Sequence, residues 1–130
     1  MNLSNAHFIP VDPVFKATDP KDLQVRFSSR RLYLKKFLEQ LGSPQFVQFY
    51  IDKENKILAV APCQENSPRA IMLQRAAMPY IPLPIEVYQA IKPHYNRNGY
   101  LWANPEFAPL NIDGEDGQYL LISYAREAKA

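Results

Sequence analysis

The sequence predicts a small α+β domain: a mostly antiparallel sheet or barrel with two short helices, built from two strand-helix-hairpin pseudo-repeats. Three observations carry that expectation. The length, 130 residues, is that of one domain. Strand-type alternation, then helix-spaced apolar residues, then two strand-like runs occur in that order twice. Polar or proline-bearing breaks of hairpin and loop length separate them.

The first 22 residues hold Pro10, Pro13 and Pro20 with neither helical nor strand period. They read as an extended arm, docked on the rest so that Phe8, Ile9, Val11, Val14 and Phe15 are covered. From Leu23 the alternation is strict, with Leu23, Val25 and Phe27 on one face and Gln24, Arg26 and Ser28 on the other. After the Ser28-Ser29 turn, RLYL adds a few strand residues. Leu34, Phe37, Leu38 and Leu41 then fall at helical spacing, with Gly42 and Pro44 to end the helix. FVQFYI and KILAVAP form a hairpin around the polar Asp52 to Asn55 connection and close the first unit, residues 23–61.

Residues 62–78 connect the units and contain the polar loop PCQENSPRA. In the second unit, 79–124, PYIPLP leads into the helix IEVYQAIK, with Pro84 suited to its first turn and Pro93 to its end. GYLWAN and QYLLISY are strands around the DGEDG turn, and Pro105 and Pro109 confine the stretch between them to an edge or a bulge.

Composition excludes several classes of protein. Hydrophobic residues make up 47% and charged residues 22%, ordinary globular usage rather than that of a disordered chain. No apolar run approaches the roughly 20 residues of a membrane-spanning helix. The opening MNLSNAHFIPVDPVF has no basic region followed by an apolar one, which points to a cytoplasmic chain. A single cysteine, Cys63, excludes an internal disulfide and a multi-cysteine zinc site. His7 and His94 have no partners at metal-ligand spacing, and DGEDG lacks the twelve-residue calcium-loop pattern. The glycines are too scattered for a phosphate loop. No catalytic residue, metal or cofactor is therefore expected, and the chain is read as a non-enzyme.

The net charge is only +2, but it is unevenly placed. Between Lys16 and Lys36 lie seven basic residues and two acids, whereas the remainder has eight basic residues and eleven acids. Arg26, Arg30, Arg31, Lys35 and Lys36 are the candidate nucleic-acid contacts, because cations gathered on one face release counterions from phosphate. The competing explanation is a solvated helix face, which lysine and arginine commonly decorate. Tyr33, Tyr50, Tyr80, Tyr95, Tyr100 and Trp102 lie in or beside predicted elements. They can stack on bases, although sheets bury such residues without any ligand.

The stretch RRLYLKKFLEQLGSPQFVQFYIDKENKILAVAP resembles the swapped-hairpin domain of AbrB, MazE and SpoVT-type regulators, with Leu41-Gly42 at the helix end and IDKENKILAVAP as the hairpin. IPLPIEVYQAI is similar to the same family's helix start through Pro84, Glu86 and Val87. The chain departs from that pattern at Leu34, where proline is usual, at Lys92-Pro93, where Leu-Gly is usual, and in its longer second hairpin. The resemblance implies a low-specificity DNA-binding or regulatory protein, a homodimer or an internal pseudo-dimer, with duplex DNA as partner. FVQFYIDKENKILAVAPCQENSPRAI also resembles uncharacterised clostridial phage and mobile-element proteins, a setting without a mechanism that, with the proline-rich arm, motivates the alternative, a module that binds a host protein.

Overall fold

The computed structural model describes residues 6–11, 13, 24–34, 37–112 and 114–125. Its nine strands form two open antiparallel sheets and not a barrel. The four-stranded sheet contains β1 (Val25–Ser28), β2 (Arg31–Tyr33), β6 (Tyr80–Pro82) and β7 (Tyr100–Ala103), in the order β6-β2-β1-β7. The five-stranded sheet contains β3 (Phe46–Asp52), β4 (Ile57–Cys63), β5 (Ile71–Met72), β8 (Pro105–Ile112) and β9 (Glu115–Ser123), in the order β5-β3-β4-β9-β8. The helices are α1 (Phe37–Gln40) and α2 (Ile85–Ile91). The expected mostly antiparallel sheet with two short helices is thus present, while the barrel is corrected to two sheets with free edges.

Alternation decides which side chains meet inside. Val25, Phe27, Leu32, Ile81, Leu101 and Ala103 from the first sheet and Val47, Leu58, Val60, Leu120 and Ile122 from the second join one buried cluster, capped by Val87 and Ile91 of α2. The opposite face of the larger sheet holds a smaller cluster, Ala59, Ala61 and Tyr119, with Tyr50 set edge-on to Tyr119 at 5.8 Å.

The local signals act largely as their chemistry directs. In the β3–β4 hairpin the Asp52 carboxylate accepts the backbone N–H of Glu54 and Asn55 and the Asn55 amide, at 3.1, 3.0 and 2.7 Å. These bonds, those from Asn55 above all, hold the Asp52 carboxyl below its ordinary pKa. Pro105 and Pro109 lie in β8, an edge strand, four residues apart and so with their nitrogens on the same side of the strand. Pro93 does not simply stop the second helix. The α-helical bonding ends at Ile91, and Pro93 sits in a 3₁₀ turn over Lys92–His94.

Three expectations need correction. Helix α1 is only one turn long, so Leu34 precedes it; Leu34 is nonetheless fully buried, and Leu38 only half-buried. Phe37 N–H donates to the Leu34 carbonyl at 3.0 Å, which places both on the start of the turn. The arm does not cover its apolar residues: Phe8, Ile9 and Val11 are 86%, 82% and 90% exposed, because nothing in the described fold packs on them. Val14 and Phe15 lie outside the described residues. GYLWAN is not the hairpin partner of QYLLISY: β7 pairs with β1 in the other sheet, and β9 turns back on β8, while the extended apolar IMLQ of the connection supplies strand β5.

Gly42 closes α1 at φ +84°, with its N–H on the Glu39 carbonyl at 2.9 Å and the next N–H, of Ser43, on Leu38 at 2.8 Å. An added Cβ would meet nothing within 4 Å, so the cost of Gly42→Ala is conformational alone. Urea unfolding should show it destabilised by about 1–2 kcal/mol. Leu34→Ala should cost about 2–5 kcal/mol, and the half-buried Leu38→Ala less.

Candidate nucleic-acid interface

The inner residues of the four-stranded sheet settle what its outer face shows. With Val25 and Phe27, Leu32, Ile81, Leu101 and Ala103 turned inward, the alternate positions point away from the core. Strand register lines these up in two rows. Tyr80, Tyr33, Arg26 and Trp102 lie across the sheet in one, and Pro82, Arg31, Ser28 and Tyr100 in the other.

Rings and guanidinium groups alternate on this face. The Arg26 guanidinium carbon is 4.5 Å from the Tyr33 ring centroid, 5.4 Å from Tyr100 and 5.7 Å from Trp102. Arg31 lies 4.3 Å from the Tyr80 ring, and the Tyr33 and Tyr80 rings are 5.9 Å apart. Distances below about 6 Å are those of attractive cation–π contacts. A hydrogen bond to Tyr33, and then the field of Tyr80, raise the pKa of Arg31, which stays charged throughout the accessible range.

A second cluster adjoins the turn between β1 and β2. Ser29 takes φ +51° there. The Tyr95 hydroxyl donates to the Ser29 carbonyl at 2.6 Å, and Leu83 N–H donates to the Arg30 carbonyl at 2.8 Å. These bonds tie the turn to the segments flanking α2. Arg30 and Lys92, distant in sequence, then share one ring, 5.9 and 5.6 Å from the Tyr88 centroid. Tyr95 packs edge-on to Tyr88 at 6.3 Å.

Of the candidate residues, Arg26, Arg30 and Arg31 are thus assembled on the outer face of one sheet and at its turn; Lys35 and Lys36 lie outside the described residues. Lys92, which the sequence marks only at the end of the second helix pattern, joins Arg30 at the Tyr88 ring. The aromatic residues divide in a way that composition does not reveal. Tyr33, Tyr80, Tyr100 and Trp102 line the outer face, whereas Tyr50 belongs to the far side of the other sheet.

Charge separates between the sheets. The strands β1, β2, β6 and β7 contain Arg26 and Arg31 and no acidic residue. Strands β3, β4, β5, β8 and β9 contain Asp52, Glu106 and Asp116 among their acids and no lysine or arginine.

The remaining candidate chemistry is dispersed. Among the described residues no three His, Cys, Asp or Glu side chains converge. Cys63 ends β4, while His94 packs edge-on to Tyr124 at 5.4 Å, and Tyr124 N–H bonds the Lys56 carbonyl just before β4 begins. Cys63 and the Lys56 carbonyl thus flank opposite ends of a seven-residue strand. An open, largely apolar groove of about 1030 Å³ runs beside β3 and α2, with Phe49, Ile51 and Val87 in its lining. Glu86, in its lining, pairs with Lys53 at 3.1 Å, both exposed. No helix among the described residues is long and apolar enough to cross a membrane. Comparison with family models, curated proteins and solved structures finds no match to this chain.

Burial, and then the neighbouring Tyr88, push the Tyr95 pKa up to about 12. A tyrosine whose folded pKa exceeds its unfolded value of about 10 holds its proton more tightly when folded, so its contribution is complete below pH 10. That contribution is lost as pH rises from about 10 to 12. Thermal melts of wild type should show an alkaline loss across this window that is shallower in Tyr95→Phe. At pH 7 the same variant should be less stable by about 1 kcal/mol, for one lost hydrogen bond.

Proposed function

We propose that the chain is a low-specificity nucleic-acid-binding or regulatory protein that acts through the outer face of the four-stranded sheet. One observation carries this reading: Arg26 and Arg31 share the outer face of the four-stranded sheet, whose strands contain no acid, with four aromatic rings, and Arg30 and Lys92 continue it at the turn. Exposed cations on one face bring phosphate in by counterion release, whatever the base sequence. The chemistry offered is binding rather than catalysis, with DNA as the proposed ligand and phosphate as the group recognised.

The same proposal extends to the architecture. β2, α1, β3 and β4 would be one half of a swapped-hairpin-type pseudo-dimer, and β6, α2, β8 and β9 the other. Supporting this, β2 lies antiparallel beside β6, and β4 antiparallel beside β9, so the two hairpins meet through their second strands. β1 and β7 pair with each other on the flank of β2 and lie outside that correspondence.

A second reading, a protein-binding module, rests on the exposed Phe8, Ile9 and Val11. It requires an apolar contact that survives high salt and nuclease, and that Phe8→Ser/Ile9→Ser abolishes.

Fluorescence anisotropy with labelled DNA of several sequences tests the first reading. Four phosphate-directed cations predict that log K falls against log salt with a slope of about −3 to −4, similar for each sequence. Arg30→Ala/Arg31→Ala should reduce the slope by about 2 and weaken every sequence alike. Equal affinity of variant and wild type would reject the basic face.

A further inference from the structure

Resting on that reading, we propose that the sheet face takes unpaired strands, whose bases stack on Tyr33, Tyr80, Tyr100 and Trp102 while Arg30, Arg31 and Lys92 hold phosphates. The dimensions of the face argue against reading of a duplex. Four strands spaced by about 4.8 Å place the outer two about 14 Å apart before side chains are added. The major groove of DNA is about 12 Å wide and admits a helix or a two-stranded ribbon. A four-stranded face cannot enter it, and against an undeformed duplex its rings would lie on the sugar-phosphate exterior.

An unpaired strand meets the same surface differently. Its bases are free to lie flat on rings or on guanidinium planes, while its phosphates face cations at the margin. Tyr80 and Tyr33 stand on one side of Arg26 and Trp102 on the other in a single row, with Tyr100 in the row beside it. Arg26 already lies over Tyr33, so a base can stack on its guanidinium or replace it above the ring. Arg31, Arg30 and Lys92 run from the face to the turn and mark the backbone path. Stacking on such rings tolerates any base, in keeping with low specificity.

Trp102 is the only tryptophan, so its emission reports contact at the site directly. The experiment titrates wild type with oligo(dT), oligo(U) and a blunt duplex of equal length, following both label anisotropy and tryptophan emission. Single strands should bind at least tenfold tighter than the duplex and quench Trp102. Tyr100→Ala should weaken single-strand binding about 5- to 150-fold, the effect of one lost stack, without changing the salt slope. Tyr100→Phe keeps the ring and should bind as wild type, which separates stacking from folding. If the duplex binds as tightly and Trp102 emission stays unchanged, this inference fails while the phosphate-binding reading stands. If neither form binds at low salt, both fail.

Discussion

Phe27, Leu32, Ile81 and Leu101 on one sheet and Leu58, Val60, Leu120 and Ile122 on the other are fully buried in a single cluster. Because side chains alternate across a strand, committing these residues inward commits their neighbours outward. A one-residue slip of β1 against β2 would put Arg26 in the core and Phe27 in solvent. Burial of apolar area, at about 25 cal/mol per Å², opposes such a slip in every strand at once. The outer face is therefore a consequence of the core, and its chemistry is held in place by residues that take no part in it.

The same alternation explains how a chain with a net charge of only +2 presents a cationic surface. The acids are not fewer than in an ordinary domain, but those in strands belong to the five-stranded sheet, and the arginines in strands to the four-stranded one.

Rings beneath the arginines serve two ends. Each cation–π contact limits the positions of a long side chain, so less freedom remains to be lost when a phosphate or base arrives. The rings also give the face a flat apolar component that a merely solvated charge patch lacks. At the turn, the bonds from Tyr95 and Leu83 fix Ser29 and Arg30 against the second half of the chain, so Arg30 and Lys92 are set by tertiary contacts and not by sequence proximity.

Local chemistry alone determined much of this protein. Alternation marked β1, the Asp52 turn marked the β3–β4 hairpin, Gly42 marked the end of α1, and the prolines marked β8 as an edge. Each of these depends on residues a few positions apart, whose geometry is set by the backbone they share. Arg26, Arg30 and Arg31 were legible as a cluster for the same reason. Only the tertiary structure decided that the strands divide between two open sheets, that Leu34 is buried ahead of a one-turn helix, and that the apolar arm residues 8, 9 and 11 stand in solvent. It alone brought Tyr80, Tyr100 and Trp102 to Arg26 and Arg31, and Lys92 to Arg30. A tyrosine in a strand faces core or solvent with equal local propensity, and which it faces depends on strand partners some 50 to 75 residues away, as Tyr33 with Tyr80 and Arg26 with Trp102.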